Sequence, residues 1–206
     1  MNKSQASIIS IIFHPLLMLT YTFIAIMVIA PPVFMPLSRD LFWHVLLVVG
    51  LTSFIIPVLL ISTLRVLAVI PDFYLDNKKQ RIIPFLSIAI IYGISAYMFY
   101  SQFAFTKIIF VAYFSTTLLI TLLTVITLYW KISFHSASIA GMFGILYAIQ
   151  LRNPDYNFLY LLSAILLTIG IVSSSRLKLN AHTLGQIIGG AVIGFTICFL
   201  IFYYFV

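Results

Sequence analysis

The residues able to do chemistry gather in three short polar stretches. The first spans residues 71–84 and carries Lys78, Lys79 and Arg81. The second is Lys131-Ile-Ser133-Phe134-His135-Ser136. The third is Ser175-Arg176-Leu-Lys178-Leu-Asn-Ala-His182-Thr-Leu-Gly-Gln186, and it opens into a glycine-rich apolar run through Gly194. Arginine, lysine and two histidines without a metal-binding carboxylate cluster suit an anion. A guanidinium grips phosphate oxygens in a fork, and an ammonium adds a point charge. One imidazole can attack phosphorus while the other protonates the departing oxygen. Each histidine stands near the start of an expected helix, whose free N–H groups favour the same anion.

The elements that must position these groups are membrane helices. Of the 206 residues, 63% are hydrophobic and only 7% are charged. A water-soluble domain of this size cannot bury so much apolar surface. Runs of roughly 20 apolar residues span a bilayer as helices, and continuous runs without alternation favour a helical bundle over a barrel. The expected spans are residues 8–30, 41–67, 85–100, 108–129, 137–149, 158–172 and 185–206. The count is about seven (six to seven), because the fifth and sixth runs are short. His14 and Pro15 fall in the first turns of the first span, and Pro57 kinks the second. Pro31, Pro32 and Pro36 end the first span, and Arg39 and Asp40 mark the loop after it. No linker or repeat divides the chain, so residues 1–206 read as one transmembrane domain.

Composition excludes several functions. The net charge of +7 suits lipid headgroups and topology, and nothing points to a nucleic-acid partner. There is no Glu, and Asp40, Asp72, Asp76 and Asp155 all lie between apolar runs. That argues against a carboxylate-driven proton pump and a carboxylate metal site; neither a metal nor a cofactor is expected. Asp72-xxx-Asp76 matches half of the aspartate motif of membrane prenyltransferases, but the second cluster is missing. The single Cys198 allows no intrachain disulfide.

Two crossings separate the first polar stretch from the second, and two more separate the second from the third. All three therefore meet at one membrane face. Arg65, Lys78, Lys79, Arg81, Lys131, Arg176 and Lys178 fall on that face; Arg39, Lys107 and Arg152 fall on the other. Gly185-xxx-Gly189 and Gly190-xxx-Gly194 face Ala137-xxx-Gly141 and Ala140-xxx-Gly144 as close-packing patterns. The fifth and last spans are therefore expected to pack together and to draw His135 towards His182. His14 and His44 read as interfacial residues on opposite sides.

Residues 130–195 resemble the type-2 phosphatidic acid phosphatase superfamily of integral-membrane lipid phosphatases. Its third motif is Ser-Arg, five residues, His, three residues, Asp; here Ser175-Arg176 is followed at those spacings by His182 and Gln186. Its second motif is Pro-Ser-Gly-His, set against Ile132-Ser133-Phe134-His135. The resemblance implies a phosphatase-like core in the C-terminal half. It makes His182 the nucleophile that becomes phosphohistidine, and His135 the acid that protonates the leaving alkoxide. Ser133, Arg176 and Lys131 become phosphate-binding residues. Lys78, Arg81 and Pro84 are of the kinds found in the family's first motif, at a different spacing, which makes Lys78 and Arg81 phosphate-side candidates. Gln186 stands where the family's Asp orients the histidine, one helical turn away on the same face. The implied substrate is a lipid phosphate or an isoprenoid pyrophosphate, in the cytoplasmic membrane of a bacterium.

Three readings remain open. The chain is a metal-independent lipid phosphatase, a lipid-phosphate binder or scaffold weakened by Gln186 and Phe134, or an anion or lipid transporter. Taken singly, Arg176 and Lys178 also fit as snorkelling anchors, and His182 fits as an interhelical hydrogen bonder. The basic face points to the cytoplasm by the positive-inside rule, whereas the resemblance implies an outward-facing site in bacterial members.

Overall fold

The computed structural model describes residues 1–35, 37–72, 77–102 and 107–206, without the side chains of Arg39 and Gln102. Pro36, expected as a helix breaker, and Asp76 of the Asp72-xxx-Asp76 pair lie outside the described residues, as does the Arg39 side chain. Within them the chain is helical and has no strand. In order the α-helices are α1 (Lys3–Ile12), α2 (Pro15–Ile29), α3 (Arg39–Gly50), α4 (Ile56–Val66), α5 (Ile82–Gln102), α6 (Lys107–Tyr129), α7 (Phe134–Arg152), α8 (Leu159–Lys178) and α9 (Leu184–Phe205). Among the described residues six stretches are long and apolar enough to cross a membrane: α3 with α4, then α5 to α9 in turn.

The first expected span is not one helix. α1 and α2 meet at a 54° bend, so a seventh crossing exists only if this bent pair counts as one span. The cause is Pro15. It has no amide to continue α1, and the residue before it is driven out of the helical region. His14 is accordingly extended (φ −66°, ψ 139°) and caps α2, its Nδ1 accepting the Leu16 amide at 3.3 Å.

Pro57 lies inside the second span, at the start of α4. A π turn over Leu51–Ile55 precedes it. Pro57 has no N–H to give the Ser53 carbonyl, which accepts the Tyr92 hydroxyl at 2.7 Å instead. Ser53 Oγ also meets Thr20 Oγ1 at 2.8 Å, tying α2 to this break.

α7 is the central helix, and its closest neighbour is α9. A Cβ at Gly194 would stand 2.0 Å from the Ala137 carbonyl oxygen, one at Gly190 2.4 Å from the Ser133 carbonyl, and one at Gly144 2.8 Å from the Phe195 carbonyl. Only glycine permits this backbone approach, as the small-residue patterns require. A hydrogen bond from the Ser133 amide to the Gln186 carbonyl at 3.2 Å staples the two helix starts together.

Candidate active site

The turn from α8 to α9 is built by local rules. α8 runs six residues beyond the expected end at residue 172, so Ser175 and Arg176 lie on the helix and not in a loop. Arg176 and Lys178 in the last turn oppose the helix dipole. The helix stops at Asn180, whose φ of 51° is left-handed. The Asn180 amide bonds the Leu177 carbonyl at 3.0 Å, and the Ala181 amide bonds that of Arg176 at 3.1 Å. This is a Schellman closure, and it folds His182 back beside Arg176. α9 then starts with a capping box. The Gln186 amide reaches Thr183 Oγ1 at 3.4 Å, and the Thr183 amide reaches Gln186 Oε1 at 3.1 Å.

His182 is held by acceptors. Its Nδ1 meets the Lys131 carbonyl at 3.1 Å and Gln186 Oε1 at 3.2 Å. A carbonyl can only accept, so the neutral ring carries its proton on Nδ1 and leaves Nε2 with the lone pair. Burial, and then the nearby Arg81 and Arg176, lower the His182 pKa from the usual 6.5 to about 4. The free imidazole therefore persists at neutral pH, as a nucleophile requires.

His135 sits in the first turn of α7 and is oriented from the N-terminal segment. Its Nε2 donates to the Ser10 carbonyl at 3.1 Å, which leaves Nδ1 as the other ring nitrogen of the site. Arg176 Nη1 donates to Ser10 Oγ at 3.2 Å. One α1 residue thus positions both groups. Nothing in the sequence pattern marks Ser10; only the bend at His14 brings it there.

A cavity of about 290 Å³ joins these residues. Its polar end is lined by Arg81, Arg176, His135, His182 and His14. Its remaining wall is largely apolar, with Leu19, Ile88, Leu119, Leu123 and Ile145 from four helices. On α7 the lining runs from Phe134 to Ile145, about 16 Å at 1.5 Å per residue. The lining thus joins a basic end to an apolar wall.

Of the sequence candidates, His182, His135, Arg176 and Arg81 meet in this cavity. Gln186 does not line it but touches His182 from behind. Ser133 does not reach it: the side chain is fully buried as the cap of α7, with Oγ 3.4 Å from the Ser136 amide and 3.0 Å from Ser136 Oγ. Lys131 contributes its carbonyl, and its side chain is not part of the lining. Lys78 is half-buried, its Nζ capping the end of α6 through the Tyr129 carbonyl at 3.1 Å. Phe134 stands next to His135 at the start of α7. It lines the cavity wall and packs on Phe85, with centroids 3.9 Å apart.

His14, like Ser10, is a site residue that sequence reasoning missed. Read as interfacial, it lies in the cavity with its ring edge-on to His135, centroids 5.6 Å apart. The only signal was the His-Pro pair, which marks a break and so a side chain at a helix mouth. His44 is exposed at the far end, its Nδ1 on the Asp40 carbonyl at 3.2 Å. Among the described residues no three His, Cys, Asp or Glu side chains are grouped to hold a metal ion. No protein-family model, no curated protein and no solved structure matches the chain.

Proposed function

We propose that this is a multi-pass membrane protein of the lipid phosphatase type, which hydrolyses a lipid phosphate or isoprenoid pyrophosphate without a metal. The observation that carries the reading is the meeting of Arg81, Arg176, His135 and His182 at one end of an apolar cavity. Arg81 and Arg176 hold the phosphate oxygens. The His182 Nε2 lone pair attacks phosphorus and the bond to the lipid oxygen breaks. His135 takes the proton of a monoanionic phosphate ester on Nδ1 and passes it to the leaving alkoxide. Water then attacks the phosphohistidine, His135 takes the water proton, and inorganic phosphate leaves with His182 restored. On this reading the resemblance to type-2 phosphatidic acid phosphatases extends to function, and the site belongs to a bacterial cytoplasmic membrane. Phosphate release from decyl phosphate, phosphatidic acid and farnesyl pyrophosphate, by detergent-purified protein, tests it.

A second reading is favoured by what stands behind His182. Its Nδ1 partners, the Lys131 carbonyl and the Gln186 amide oxygen, are both uncharged. Loss of the corresponding carboxylate in serine proteases costs about 10⁴ in rate. On that reading the same cavity holds a lipid phosphate and does not cleave it. Saturable binding of a lipid phosphate without turnover selects the binder.

A further inference from the structure

His14 belongs to no motif, yet it stands in the cavity wall at the joint of α1 and α2. Nδ1 accepts the Leu16 amide, so the neutral ring carries its proton on Nε2. Among the described residues that Nε2 makes no hydrogen bond. The ring meets His135 at an interplanar angle of 83°, and Arg176 lies within electrostatic reach. The start of α2 has no amide to spare for an anion. Pro15 lacks one, the Leu16 amide is taken by Nδ1, and the Leu17 amide bonds the His14 carbonyl at 2.9 Å. The available donor here is therefore the imidazole itself. Capping alone would not call for it, since Asn or Ser caps a helix as well.

We propose that His14 is a third histidine of the phosphate site, donating its Nε2–H to a phosphate oxygen beside Arg176 and His135. The inference rests on the phosphate-site reading above. It supplies a donor that Lys78, turned away to the end of α6, does not. The two guanidiniums approach from α8 and from the segment leading into α5, while His14 approaches from the side of α2. A phosphate monoester has three terminal oxygens, and a third direction of donation fixes its rotation about the ester bond.

The test uses full-length protein in detergent and decylphosphonate, a non-hydrolysable single-chain probe, with decanol as the headless control. His14→Asn and His14→Ser each keep a capping oxygen and remove the ring. His44→Ala, at the far end, is the reference. Calorimetry should show decylphosphonate binding weakened about tenfold to a hundredfold in both His14 variants, as expected for a lost bond to a charged group. Decanol binding and melting temperature should match wild type, and His44→Ala should bind both probes normally. Decylphosphonate binding at wild-type strength in either folded variant overturns the proposal, as does equal loss for both probes. A wild type that binds decylphosphonate but releases no phosphate from decyl phosphate defeats the hydrolysis reading alone, and the His14 binding ratio still decides this one. A wild type that binds neither probe ends both.

Discussion

Gly194→Ala is the sharpest structural prediction, because one methyl group must displace backbone. Its Cβ would lie 2.0 Å from the Ala137 carbonyl oxygen, where ordinary contact begins at 3.4 Å. No side chain can rotate away, so α7 and α9 must separate by more than an ångström or lose packing along their shared length. Gly185→Ala is the matched control, since its Cβ would meet only the Trp130 ring at 3.7 Å. Both substitutions restrict the unfolded chain and favour the helix by about 0.5–1 kcal/mol. At Gly185 that term stands nearly alone. At Gly194 it is outweighed by overpacking of about 1–3 kcal/mol or more. The helix term is common to both, so the two variants should differ in stability by the overpacking alone, roughly 1–3 kcal/mol or more. Titration with a denaturing detergent, followed by Trp43 and Trp130 fluorescence, measures the difference. Because α7 carries His135 and α9 follows His182, decylphosphonate affinity should fall with stability in Gly194→Ala. Equal unfolding midpoints for the two variants would refute the packing argument.

Further expectations concern the polar end. Gln186→Glu keeps the length that reaches both His182 Nδ1 and the Thr183 amide, and adds a charge behind the ring. It should raise the His182 pKa and speed phosphate release, measured by histidine NMR titration and by the release assay. Ser10→Ala removes the hydroxyl that holds Arg176 and keeps the carbonyl that holds His135. Decylphosphonate binding should weaken about twofold to tenfold, as for one neutral hydrogen bond of about 0.5–1.5 kcal/mol. The folded His182 pKa of about 4 lies below its unfolded value, so the unfolded chain binds the extra proton between them. Stability from this group is complete above about pH 6.5 and is lost as pH falls towards 4. Unfolding midpoints across that window should drop more steeply in wild type than in His182→Gln.

Much of this arrangement is legible in the sequence, for definite reasons. Long apolar runs identify the helices because lipid forces the backbone to pair with itself, and continuous runs without alternation suit a helix and not a barrel strand. Glycine spacing identifies the α7–α9 pair because only glycine tolerates such close approach. Counting crossings brings Arg81, His135, Arg176 and His182 to one end. The rest depended on atoms that spacing does not encode. A sequence does not say whether Ser133 Oγ turns outward to a ligand or inward to cap its own helix; the cap wins, because the α7 start is otherwise unsatisfied. Lys78 is near the site in sequence order, but the end of α6 claims its ammonium. Ser10 and His14 carry no such signal, because both fall within what reads as one continuous first span. The 54° bend is instead what turns the N-terminal segment into a wall of the cavity.

The most direct measurement of the central claim is phosphate release from a panel of lipid phosphates by purified wild type and by His182→Ala, in matched detergent with a chelator present. The account predicts release from at least one single-chain lipid phosphate or pyrophosphate, lost in His182→Ala while decylphosphonate binding persists. Release that continues undiminished in His182→Ala would contradict it.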